Sequence, residues 1–214
     1  MTKLNKALFG DEFNKSYIIL AGIILLLIIL SFKNFLLFHS LIELSSIIIS
    51  FIIFIIAIYT HEKSKNYFLV FLGITLGFVG LLDLLHTLVY EGMGVFPSYG
   101  TDLPTQLWIL GRYLESVSLV GASLVGSAPF LRLRSEPYDP SLRRLVAVYA
   151  VVVGLGLFSV LGSDVFPAAY TEGEGLTQFK ILSEYVIIGL LVVAVVLLYS
   201  GRERHDETLF RLLV

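Results

Sequence analysis

The chain has 214 residues, 57% of them hydrophobic and only 15% charged, with a net charge of −2 and no cysteine. So few charges exclude an ordinary water-soluble domain, and near-neutrality leaves no basic surface for nucleic acid. Without cysteine there is no disulfide, thiolate zinc site or iron–sulfur cluster, so any metal would need His and carboxylate ligands.

The first apolar run, residues 17–32, follows Lys3, Lys6 and Lys15 and ends Ser31-Phe32-Lys33-Asn34 with nothing like a small-residue cleavage site. It reads as a retained helix and not as a signal peptide. Later apolar spans cover residues 36–60, 67–90, 105–131, 142–161 and 176–200, each long enough to cross a bilayer. Lipid offers nothing to free backbone groups, and alternation of period two is absent, so these runs are expected to be helices. The predicted fold is an all-α, polytopic transmembrane bundle of about six helices. It forms one membrane-embedded domain, residues 1–214, in the plasma membrane.

Cytoplasmic loops are enriched in Lys and Arg. With the N-terminus inside, twelve such residues fall on inner segments: Lys3, Lys6, Lys15, Lys63, Lys65, Arg132, Arg134, Arg143, Arg144, Arg202, Arg204 and Arg211. The outer loops hold only Lys33, which predicts cytoplasmic termini. The outer connections, residues 91–100 and 162–175, are punctuated by Gly and Pro and read as irregular. Residues 208–214 look like the start of another apolar helix, which leads to the expectation that the chain is a fragment.

Ionisable residues inside a membrane helix cost about 2.5 to 3.5 kcal/mol each and usually face a partner or a watery cavity. The second span carries His39 and Glu43 on one face, and the third carries Asp83 and His86 with Thr87 and Tyr90. Trp108, Arg112 and Glu115 follow an i, i+4, i+7 pattern on the fourth, and Lys180 and Glu184 stand one turn apart on the sixth. In the expected topology all of them lie roughly 5 to 15 Å below the outer surface, by helical rise. One reading is an ion-pair network that fixes packing, with Arg112 paired to Glu115 or Asp83 and Lys180 paired to Glu184. The other is a ligand pocket built from all nine residues, because four carboxylates face only Arg112 and Lys180. The excess can be met by protonation or by a bound cation. His39, Glu43, Asp83 and His86 are the donors a divalent metal ion would use. Trp108 also suits an interfacial belt, and Phe96 and Tyr99 could form a lid.

Catalysis is not indicated. Gly121-Ala122-Ser123-Leu124-Val125 lacks the last glycine of a nucleophile elbow, and His61 and His205 fall in inner loops, away from the positions of paired haem ligands.

Three stretches carry a resemblance. They are His39-Ser40-Leu41-Ile42-Glu43, the long run from Phe78 through Asp83, His86 and Tyr90 to Phe96, and Leu103-Pro104-Thr105-Gln106-Leu107-Trp108-Ile109 continuing to Arg112-Tyr113-Leu114-Glu115-Ser116. Together they resemble the third membrane-associated sensor family, which supplies input domains to prokaryotic histidine kinases and diguanylate cyclases. The resemblance implies a sensory domain that detects a ligand, ion or redox signal in the outer leaflet. It further implies relay to a cytoplasmic kinase or cyclase module, with two-component or cyclic-di-GMP output. A second copy of the chain is a further partner to test. The alternatives are a metal- or haem-binding redox protein and a small-solute or ion transporter. The apolar inner halves of the spans, such as Ile52 to Ile58 and Leu190 to Leu198, disfavour a through path.

Overall fold

The computed structural model describes residues 3–64, 67–96, 100–127, 142–163 and 165–200, and side chains are described for all of these except 3–16, 62–64, 67 and 125–127. Tyr99, Lys65, Arg132, Arg134, Arg202, Arg204, His205, Arg211 and the segment 208–214 lie outside the described residues, as do the side chains of Lys3, Lys6, Lys15 and Lys63.

Six helices are present among the described residues: α1 (Lys3–Lys33), α2 (Phe35–Ser64), α3 (Tyr67–Val89), α4 (Asp102–Ser127), α5 (Leu142–Leu161) and α6 (Gln178–Ser200). The protein is an all-α membrane helical bundle. By length and composition α2, α3, α5 and α6 can each cross a bilayer, whereas the apolar part of α1, Tyr17–Lys33, is shorter. The fourth helix is long enough, but Asp102, Arg112 and Glu115 make it the most polar of the six. His61, expected in a loop, lies in the last turns of α2 with its Nδ1 2.7 Å from the Ile58 carbonyl.

The chain divides into two compact units, Met1–Glu43 and Leu44–Val214. In the first, α1 gives way to α2 at Asn34, whose side-chain oxygen accepts the Leu37 N–H at 3.0 Å. Asn is a strong N-cap because that oxygen satisfies an amide the helix cannot.

In the second unit α4 is the central element, packed most extensively against α3 and α6 and also touching α5. The portion of α2 that belongs to this unit packs on a glycine seam of α3. A Cβ on Gly73 would fall on that of Ala57, one on Gly77 would stand 2.5 Å from the Phe54 ring, and one on Gly80 would stand 3.1 Å from the Ser50 Cβ. Close approach over small residues is how helices gain contact in lipid, where apolar burial supplies no driving force.

Polar and apolar surfaces are arranged for a nonaqueous solvent. Ser50, Thr75, Asp83, Thr87, Ser116, Ser123, Lys180 and Ser183 are buried. Val148, Val151, Leu155 and Phe158 of α5 and Leu182, Tyr185, Ile188 and Val192 of α6 are exposed. Such apolar outer faces suit contact with acyl chains.

The connection after α5 is more ordered than its composition predicts. It contains a two-stranded antiparallel hairpin, β1 (Tyr170–Thr171) paired with β2 (Gly175–Leu176). The turn closes with Glu174 N–H donating to the Thr171 carbonyl at 3.2 Å, and Gly173 supplies the positive φ of 84° that residues with a Cβ rarely adopt.

Candidate functional site

The third helix ends at Val89 because Gly92, at φ 92°, turns the chain away. Asp83 and His86 are thereby left in its last two turns. At the start of α4, Pro104 occupies the first turn, where its missing N–H costs nothing. Its carbonyl accepts a 2.7 Å hydrogen bond from His86 Nδ1. A carbonyl can only accept, so the ring proton sits on Nδ1 and the orientation of His86 is fixed by α4. Asp83 stands one turn before His86 on the same helix, and Tyr90 packs edge-on against the His86 ring at 5.8 Å.

Two turns further along α4, Arg112 gathers the carboxylates. Its Nη2 donates to both Oδ1 and Oδ2 of Asp83 at 2.6 Å, and its Nη1 donates to Glu115 Oε2 at 2.6 Å. The Asp83 side chain is 3% exposed, against 25% for Arg112 and for Glu115, so the Asp83 contact is the desolvated one. From α6, buried Lys180 places Nζ 3.4 Å from the centroid of the Trp108 ring and donates to Glu184 Oε1 at 2.8 Å. A cation over an indole face is attracted by the ring quadrupole, and more strongly when both are dehydrated.

Seven of the nine expected residues, Asp83, His86, Trp108, Arg112, Glu115, Lys180 and Glu184, thus stand on three helices that pack together in the second unit. The other two, His39 and Glu43, are half-buried in the first turns of α2 and belong to the first unit, where the His39 ring stacks on Phe35 with centroids 6.1 Å apart. Among the donors considered for a metal, Asp83 gives both oxygens to Arg112, and His86 uses Nδ1 for Pro104.

Two features escaped the sequence reading. Buried Tyr149 of α5 shares hydrogen bonds through its hydroxyl with Thr75 of α3 at 2.6 Å and Ser118 of α4 at 2.7 Å, with its ring against Phe71 and Phe78. No local motif announces such a contact, because each partner taken singly is an ordinary polar residue in a helix. The Pro104 carbonyl that holds His86 belongs to α4 and not to the connection expected to carry a lid, whose Tyr99 lies outside the described residues, and the segment after α5 folds back onto α4. Asp102 Oδ1 accepts the N–H groups of Ala169 and Tyr170 at 2.7 and 2.8 Å, and Gln106 Nε2 donates to the Pro167 carbonyl at 3.1 Å.

Comparison with curated proteins and with solved structures gives no match. A family model does match, that of the MASE3 membrane-associated sensor domain, over residues 30–214. The match includes every residue of the cluster and both His39 and Glu43. A polar interior on three packed helices, inside an apolar exterior, accords with that assignment: the chain is a multi-pass membrane protein and belongs to the MASE3 membrane-associated sensor domain family.

Proposed function

We propose that the charged network joining α3, α4 and α6 is the sensing element of an input domain. It detects an extracytoplasmic or membrane-borne ligand, ion or redox signal and relays it to a cytoplasmic kinase or cyclase module. The observation that carries this reading is the sharing of one Arg112 guanidinium between Asp83 of α3 and Glu115 of α4, beside a Lys180 that joins α6 to α4 through Trp108. Charge pairs in a low-dielectric interior form and break as units, since an unpartnered buried charge costs several kcal/mol. A solute that replaces one partner therefore favours a different arrangement of the helices that supplied the pair. The same pairs would hold a purely architectural network together. Membership of a sensor-domain family favours sensing, because such a domain needs an interior element with two states.

The ligand class follows from the charge balance. In the second unit Asp83, Glu115 and Glu184 face Arg112 and Lys180, so a proton or cation would relieve the excess. A bound divalent metal is the further reading, and elemental analysis of the purified protein tests it.

The functional test joins the chain to a diguanylate cyclase module in a bacterial membrane and measures cyclic-di-GMP. Arg112→Gln is expected to shift basal output and to abolish its dependence on external pH or divalent cations. Unchanged output and response in a membrane-inserted variant would oppose the reading.

A further inference from the structure

The segment that follows α5 is tied down at both ends. Thr177 caps α6, its Oγ1 accepting the Lys180 N–H at 3.3 Å while donating to the Ala168 carbonyl at 2.7 Å. The Thr177 N–H donates to the Ala169 carbonyl at 3.1 Å, and Phe166 packs edge-on against Phe179. The segment 166–177 and the first turn of α6 are therefore one connected piece. Its attachment to α4 is made by Asp102 and Gln106, and Ala169, whose N–H Asp102 accepts, is fully buried. Two residues beyond Gln106 the same helix presents Trp108, and three residues beyond Thr177 the other helix presents Lys180.

We infer that this segment is a strap and that Asp102 is its latch, a positioning residue that holds the N-terminal turn of α6 against α4 and so keeps Lys180 over Trp108. A carboxylate accepting two backbone N–H groups makes charge-assisted bonds stronger than neutral ones. Gln106 adds a neutral bond one turn along. When the latch opens, the strap and the first turn of α6 move together, and Lys180 leaves the indole. The inference takes the pairing of α4 with α6 from the sensing proposal and adds the external element that controls it. Its test needs no ligand, so it can fail while the sensing proposal stands.

Trp108 is the single tryptophan of the chain, so indole emission from the full chain in nanodiscs comes from this residue alone. Amide exchange over residues 165–180 reports on the strap. Asp102→Ala is expected to speed exchange at Ala169, Tyr170 and the first turn of α6 by about tenfold or more, the scale expected for loss of a charge-assisted hydrogen bond. It should also shift Trp108 emission toward that of Lys180→Met. Asp102→Asn, which keeps the accepting oxygen, should restore most of the protection. In a Lys180→Met background, Asp102→Ala should leave the emission unmoved, a coupling that general loosening of the fold would not produce. Gln106→Leu provides a second route, and it decides the matter alone if Asp102→Ala loses its helical circular dichroism. Faster strap exchange with wild-type Trp108 emission would overturn the inference, as would wild-type exchange in the deciding variant.

Discussion

Arg112 Nη2 lies 2.6 Å from both carboxylate oxygens of Asp83, so a single nitrogen of α4 meets the one acidic side chain of α3. Removing the cation alone leaves that carboxylate buried and uncompensated. Arg112→Ala is expected to cost about 3 to 5 kcal/mol. Arg112→Gln combined with Asp83→Asn should recover much of the loss, since neither charge then remains to be dehydrated. Helicity followed during unfolding in detergent micelles checks both. Equal loss in the single and double variants would show that the pair does not act as a unit.

The Tyr149 hydroxyl joins three helices through Thr75 and Ser118. Tyr149→Phe keeps the ring against Phe71 and Phe78 and removes only the oxygen. Hydrogen bonds between membrane helices average below about 1 kcal/mol and reach about 1.7. A loss of about 1 to 2 kcal/mol is therefore expected, and Thr75→Val should add little on top of it. Full additivity of the two in the same unfolding assay would mean that the hydroxyls do not form one network.

Gly73 and Gly189 should respond oppositely to alanine. A Cβ at Gly73 meets that of Ala57, which has no flexible end to move aside, whereas one at Gly189 meets nothing within 4 Å. Gly73→Ala is expected to destabilise by about 1 to 3 kcal/mol through overpacking. Gly189→Ala should be neutral or slightly stabilising, as alanine is the better helix former. Thermal unfolding of the two variants side by side makes the comparison.

The positions of α2 to α6 were legible in the sequence to within a few residues because lipid permits only long apolar helices here, whereas α1 starts at Lys3, well before the apolar run expected from residue 17, because its first turns are polar and carry no membrane signal. The expected start of the fourth span at residue 105 stands three residues inside α4, which begins at Asp102. The pairs Arg112–Asp83, Arg112–Glu115 and Lys180–Glu184 were foreseeable because dehydrated charges must find partners, and few partners were within helical reach. The contact of Lys180 with Trp108 was not, since either residue alone has an ordinary interfacial explanation. The hairpin at residues 170–176 and the Asp102 latch were hidden for a different reason. Two-residue strands leave no periodic pattern, and an aspartate at a helix start signals a cap without revealing that distant amides would occupy it.

The topology is expected to place both termini in the cytoplasm and the strap outside, from the concentration of Lys and Arg on alternate connections. Reporter fusions after Val214 and within the 162–175 connection check this. An external signal from the first or a cytoplasmic one from the second would reverse the assignment of the network to the outer leaflet.

The central claim is that the Asp83, Arg112, Glu115 and Lys180 network changes arrangement when its charge balance is altered from outside. The most direct measurement is Trp108 emission from the reconstituted full chain, titrated with protons from about pH 8 to about pH 5 and separately with magnesium, calcium and zinc chlorides. The account expects a saturable emission change with at least one of these probes in the wild type. In Arg112→Gln and Lys180→Met of retained helicity that change should be absent. Emission that stays constant with every probe, or that changes equally in both variants, would contradict the claim.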